Sequence, residues 1–360
     1  MTSSSSATSE KVTASTIERE NGFDLLRLLL AVCVVFSHAF LLGGFGTDWL
    51  DQFSRGQTSA GDLGVLGFFG LSGFLITQSF IRQPNARFFL ASRFLRIFPG
   101  FLLALVLAAF LFAPLISWAS PANNNWDFVK ATQYVIQNSL VQVSTWTVGD
   151  ELAGLPYMGS LNGPLWSLWP ELLCYGFVLI FGITGLLDRK AGNAVLVFLC
   201  LLVFHIAREL NQSLPNLIPA PITLSGFSPL FLAFSAGALF AIYRDHFVWS
   251  GRQALLWSVL AIATLRWGGW DIAGPIILTI TLIQASQSIR IRLPADISYG
   301  LYLLHFPILH FLSAAGIHQK GFAVYLAAAL AISASFACLS WYFLEKPLLR
   351  LKSHPFVRGN

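Results

Sequence analysis

The stretch DLLRLLLAVCVVFSHAF, residues 24–40, is apolar enough to enter a bilayer, yet it carries Asp24, Arg27 and His38. Ionisable groups inside a membrane are rare and usually functional. Arg27 follows Asp24 by three residues and His38 follows Arg27 by eleven, which at ~3.6 residues per turn puts all three on one helix face. With Arg27 near one interface, His38 lies ~16 Å further along the axis, past mid-membrane. A neutral imidazole there is suited to take a proton from an external hydroxyl near neutral pH. The structural alternative is a histidine hydrogen-bonded to a neighbouring helix. Asp24 and Arg27 are also spaced for an i,i+3 ion pair.

Other segments carry chemistry of the same kind. GDLGVLGFFGLSGFL places Gly61, Gly64, Gly67, Gly70 and Gly73 at every third position, with Ser72 among them. A three-residue step drifts ~60° per repeat around a helix, so either several neighbours crowd this helix or its backbone breaks where a ligand passes. RQPNARFFLASRFLRIFPG brings Arg93 and Arg96 to one face and holds Pro99, where a break in the chain is expected. The planar guanidinium fork suits phosphates, and topology anchoring is the competing role. NGPLWSLWPELLCYG carries Glu171 about one turn from the outer side, near the depth inferred for His38, where it could orient the imidazole. DISYGLYLLHFPILH holds Tyr299, Tyr302, His305 and His310, and YFLEKPLLRL holds Glu345 and Lys346. Each of the two histidines could equally be a packed core residue. Cys33, Cys174, Cys200 and Cys338 show no metal-ligand spacing, and no metal is expected.

These residues must be positioned by membrane helices. Of 360 residues, 55% are hydrophobic and 11% charged, against roughly a quarter charged in soluble domains. Apolar runs near 24–43, 63–81, 97–117, 166–186, 193–207, 227–243, 254–267, 272–286, 296–315 and 322–344 give about ten crossings of an all-α integral membrane protein. With both termini cytoplasmic, 17 of the 22 lysines and arginines fall inside and five outside. Insertion thus accounts for much of the net charge of +5, and no nucleic-acid partner is indicated. Residues 1–20, rich in Ser and Thr, read as a disordered cytoplasmic tail, 21–350 as the transmembrane domain, and 351–360 as a second cytoplasmic tail. The longest outside segment, roughly 118–165, contains an amphipathic piece and a turn-rich stretch, and loops that long are often functional.

Taken in order from residue 23 to 350, FDLLR with its R-x10-H spacing, GVLGFFGLSGFL, RFLRIFPG, PLWSLWPE, SYGLYLLHFP and YFLEKPLLR together resemble the membrane acyltransferase 3 family, the O-acyltransferases of bacterial surface glycans. The resemblance implies about ten helices, a cytoplasmic acyl-CoA donor and an acceptor hydroxyl on the far side. It matches Arg27 and His38 to an essential pair and Arg93 and Arg96 to the family's R-x-x-R. Two departures stand out: Cys174 where an aromatic often precedes the tyrosine, and Phe101 where a tyrosine often follows the proline.

The expectation is therefore an inner-membrane O-acetyltransferase that moves acetyl from acetyl-CoA to a lipid-linked or exported polysaccharide, such as an exopolysaccharide or lipopolysaccharide. His38 would act as base, with Asp24, Arg27 and Glu171 in support. Arg93, Arg96, Ser72, Tyr302 and His305 would face the donor, and membrane lipids surround the whole. A covalent variant, with the acetyl group carried on His38 or Ser72, stays open. The rival is a secondary transporter using His38 and Glu171 as a proton relay.

Overall fold

The computed structural model describes residues 22–120, 126–187, 192–213, 227–247, 250–291 and 293–353. The expected N-terminal tail and most of the C-terminal one lie outside the described residues. Among the described residues every regular element is helical: α1 Phe23–Gly43, α2 Trp49–Ser54, α3 Ala60–Arg82, α4 Ala86–Ala119, α5 Phe128–Asn138, α6 Leu168–Ile183, α7 Asn193–Ser213, α8 Ser228–Ile242, α9 Gly251–Trp267, α10 Trp270–Ser288, α11 Ser298–Ala314 and α12 Phe322–Arg350. Each of the ten expected apolar runs falls on one of these helices. Five stretches, α1, α3, α4, Gly163–Ile183 and α12, are long and apolar enough to cross a membrane, and Ala194–Ala207 and Ser228–Ile242 are shorter apolar helices.

Local chemistry sets the boundaries. α1 stops at Gly44, whose φ of 73° is the left-handed conformation that glycine adopts without strain. Ser59 and Asp62 form a capping box at the start of α3. Asn85 caps α4 by accepting from the Phe88 amide at 3.0 Å. Buried Asp48 joins three elements, accepting from the Leu50 amide of α2, the Ala60 amide of α3 and the Ser37 hydroxyl of α1.

The glycine run is crowded, not broken. α3 is continuous, and its glycines turn successively to different neighbours. Gly61, Gly64 and Gly67 face Ser37, Val34 and Leu30 of α1, while Gly73 faces α8 so closely that a Cβ would lie 2.0 Å from the Phe234 carbonyl oxygen. Gly237 answers from α8, where a Cβ would lie 2.1 Å from the Gly70 carbonyl oxygen.

The break expected at Pro99 is absent. α4 runs through it and through a π-turn at Ala108–Phe112, so Arg93 and Arg96 sit on a membrane helix and not in a loop. Buried Ile97 and Phe101 on either side of the proline hold the helix together. Phe101, the residue at the second departure, is wholly enclosed.

Two prolines further along free backbone carbonyls in the helix interior, because each lacks the N–H that would bond four residues back. In both places a side chain from another element fills the gap. The Asn162 amide donates to the Leu303 carbonyl below Pro307 at 2.9 Å, and His205 Nε2 lies 2.7 Å from the Asp271 carbonyl below Pro275.

Asn162 belongs to a segment that was expected to stay outside. Instead, residues 157–167 descend beside α11. The Ser160 carbonyl meets His310, Asn162 meets Leu303, and Ser167 meets Tyr302. Irregular backbone is tolerated at such depth only when enclosed by protein, and Ser160, Leu161, Asn162, Pro164 and Leu165 are all buried. α11 is consequently the central helix, buried along nearly its whole length between this segment, α1 and α12.

Candidate active site between α1 and α11

Arg27 on α1 contacts Asp296 just before α11, and His38 further along α1 contacts His305 further along α11. The two helices therefore run parallel and are bridged at two levels, ~16 Å apart along α1.

At the lower level Asp296 gathers charge. Its Oδ2 accepts from Arg96 at 2.7 Å and from Arg27 at 3.2 Å, and its Oδ1 accepts from the Ser298 hydroxyl at 2.6 Å. Arg96 also faces Glu345 at 3.8 Å, lies over the Tyr299 ring and is largely buried. Glu345 is presented by the π-turn Trp341–Glu345 and accepts from Ser340 at 2.9 Å. The expected Asp24–Arg27 ion pair does not form. Asp24 is exposed in the first turn of α1, where the helix N-terminus favours an acid, and Arg27 turns to the better-enclosed Asp296.

Arg93 is different from Arg96. Its guanidinium lies over the rings of Phe89 and Tyr175 at 5.8 and 5.9 Å. Among the described residues no carboxylate comes within ion-pair distance of it, and its Nε is buried without a partner. Half-buried Lys352, in the 3₁₀ turn after α12, has a pKa pushed down to about 7 by burial and by the neighbouring charges of Arg93, Arg96 and Arg27. Of these basic side chains, Arg27 and Arg96 pair with Asp296, and Arg96 also faces Glu345.

Above them lies a cavity of about 50 Å³ whose lining includes Arg27, Ser72, Glu171, Tyr299 and Tyr302. Glu171 accepts from the Tyr175 hydroxyl at 2.5 Å and from Ser72 at 3.4 Å. It is not the orienting partner of His38, because its carboxylate is turned to Tyr175 and to Ser72 of α3. Tyr302 shares a 2.7 Å hydrogen bond with Ser167.

At the upper level His38 Nδ1 lies 2.8 Å from His305 Nε2, with the two rings inclined by only 11° and the edge of Phe306 against His38. His305 is fully buried, whereas His38 remains partly accessible. His305 Nδ1 points back at the Tyr302 and Leu301 carbonyls, at 2.9 and 3.1 Å. His310 is the packed histidine of the three, bonded to the Ser160 carbonyl and stacked on Tyr157.

The structure thus brings Arg27, Arg93 and Arg96 to one end, Ser72, Glu171 and Tyr302 to the cavity, and His38 with His305 above it. Asp24 stands apart. Sequence reasoning missed Asp296, a lone acid in a connection, and the bond between Tyr175 and Glu171. The i,i+4 spacing of those two residues was the available signal.

Along α1 and α11 the helical bundle thus holds, in succession, a cluster of arginines, a small polar-lined cavity and a histidine pair. The chain belongs to the acyltransferase family: the family described as "Acyltransferase domain" matches residues 20–345. It is 28% identical over 345 residues to a protein named O-acetyl transferase from Shigella phage Sf6, covering 94% of this chain and 98% of that one. It is also 28% identical over 376 residues to Nodulation protein 10 of Rhizobium leguminosarum bv. viciae, covering 94% and 95%. No solved structure matches significantly.

Proposed function

We propose that this acyltransferase is an inner-membrane O-acetyltransferase that takes acetyl from cytoplasmic acetyl-CoA and delivers it to a hydroxyl of an extracytoplasmic or lipid-linked polysaccharide. The observation that carries this reading is the succession, along parallel α1 and α11, of the arginines around Asp296, the cavity lined by Arg27, Ser72 and Glu171, and the His38–His305 pair. Arg93 and Lys352 have no carboxylate within ion-pair distance among the described residues and would meet the phosphates of the donor, while Asp296 and Glu345 hold Arg27 and Arg96 in place. A cavity of about 50 Å³, against the ~150 Å³ that accommodates benzene, favours a two-carbon acyl group. His38 takes the proton of the acceptor hydroxyl as its oxygen attacks the thioester carbonyl. The carbon–sulfur bond then breaks, and the CoA sulfur leaves as the thiol with the proton returned by His38.

About ten crossings with both termini cytoplasmic fit this path. Parallel α1 and α11 require an odd number of crossings between them, which α3, α4 and α6 to α10 supply. The transporter alternative needs His38 and Glu171 to exchange a proton, and each is hydrogen-bonded elsewhere.

Purified protein given acetyl-CoA and a glycan acceptor should release free CoA and form ester; transport of acetyl-CoA or glycan without ester would overturn the reading. In a background with the native cysteines replaced, Lys130→Cys should react with an impermeant thiol reagent outside intact cells and Arg290→Cys should not. Reversed labelling would put His38 on the donor side.

A further inference from the structure

The hydrogen bonds around His305 dictate where the protons of the histidine pair lie. Carbonyl oxygens only accept, so His305 Nδ1, aimed at the Tyr302 and Leu301 carbonyls at 2.9 and 3.1 Å, carries its hydrogen. A neutral imidazole has one N–H, and His305 Nε2 is consequently a lone pair. The 2.8 Å contact with His38 then requires a donor, which is His38 Nδ1–H. Only one nitrogen of His38 remains, Nε2, and it too must be a lone pair. Reversing the chain would set a buried lone pair of His305 against two carbonyl oxygens. Charging either ring would bury a cation with no carboxylate hydrogen-bonded to it among the described residues.

We propose that His305 is a positioning residue that fixes the tautomer of His38, leaving His38 Nε2 as the nitrogen that accepts the proton of the acceptor hydroxyl. The inference rests on the reading of His38 as the base. When Nε2 is protonated, the new positive charge strengthens the Nδ1–H bond to His305, whose own N–H leans on the carbonyls of α11. A neutral imidazole here fills the place that a buried carboxylate takes in serine hydrolases. It orients the base without adding a negative charge at mid-membrane.

The test uses the full chain in lipid nanodiscs with ¹⁵N-labelled histidine. Of seven histidines, the His38 signals are those lost in His38→Gln. The expected spectrum above neutral pH shows His38 Nδ1 protonated and Nε2 bare. In parallel, His305→Gln keeps an acceptor for His38 and donors for the carbonyls, and should retain turnover to within ~10-fold. His305→Leu has neither and should lose ~10²–10⁴-fold, the range spanned by general-base catalysis and by a wrong tautomer. Acetyl-CoA binding should be unchanged in both. A protonated Nε2 in the unsubstituted protein, or equal turnover in the Gln and Leu variants, would overturn the tautomer assignment while leaving His38 as base. Normal turnover in His38→Gln would instead remove the base itself.

Discussion

The two levels at which α1 meets α11 are built in opposite ways. At the lower one the bonds are ionic, with Asp296 shared by Arg27 and Arg96. At the upper one two imidazole rings meet, and among the described residues no carboxylate is hydrogen-bonded to either. In the proposed mechanism the lower level meets the anionic donor through Arg93, which has no carboxylate within ion-pair distance among the described residues. In the proposed mechanism the upper one stays uncharged until proton transfer, because an uncompensated ion far from either interface is costly. The same contrast divides the R-x-x-R pair. Arg96 is neutralised by the protein and is part of its frame, while Arg93 is not.

The sharpest way to break the comparison is at the upper level. His38→Gln keeps a hydrogen bond to His305 but cannot take a proton at neutral pH. Turnover should fall by ~10²–10⁴-fold with acetyl-CoA affinity intact, measured by calorimetry on the same preparation. Near-normal turnover would make both levels structural.

Next in size is the frame itself. Asp296→Asn removes the charge that Arg27 and Arg96 share, and breaking a buried ion pair typically costs about 3–5 kcal/mol. Thermal unfolding in detergent should shift down markedly for Asp296→Asn and hardly at all for Arg93→Met. Equal shifts would erase the distinction between Arg96 and Arg93.

Arg93→Met should show its effect in donor binding instead. Losing one charge-assisted phosphate contact, worth roughly 1.5–3 kcal/mol, should raise the Kd for acetyl-CoA about tenfold or more with the fold unchanged. Arg93→Lys should recover part of that, since it restores the charge but not the fork.

The smallest effect is expected at Lys352. With its pKa pushed down to about 7, the ammonium is charged below that pH and neutral above it. Acetyl-CoA affinity should therefore weaken as pH rises through 7, and Lys352→Met should flatten that dependence. A profile identical in the two proteins would place Lys352 outside the donor site.

Much of this arrangement was legible in residue types and spacing. Arg27 and His38 lie on one face because eleven residues is nearly three turns, and both do reach a single partner helix. The glycine run announced close approach by its three-residue step. What spacing could not supply was the partner across the gap. Nothing local marks Asp296 as the acid that Arg27 and Arg96 share across 269 and 200 residues. Glu171 was matched to His38 by estimated depth alone, whereas its hydrogen bonds go to Tyr175 and Ser72. Pro99 signalled a break that packing around Ile97 and Phe101 overrides. The histidine pair combines two sequence signals, each readable alone as a core residue, and only their contact gives them a joint role.

That contact spans 267 residues, which has a consequence for biosynthesis. A nascent chain carries His38 into the membrane early, but its partner is not made until most of the protein has been translated. Until α11 enters beside α1, the imidazole has no fixed tautomer and Arg27 has no Asp296. Both bridges between α1 and α11 are therefore closed by the same late event, the packing of α11 against a helix made near the start of the chain.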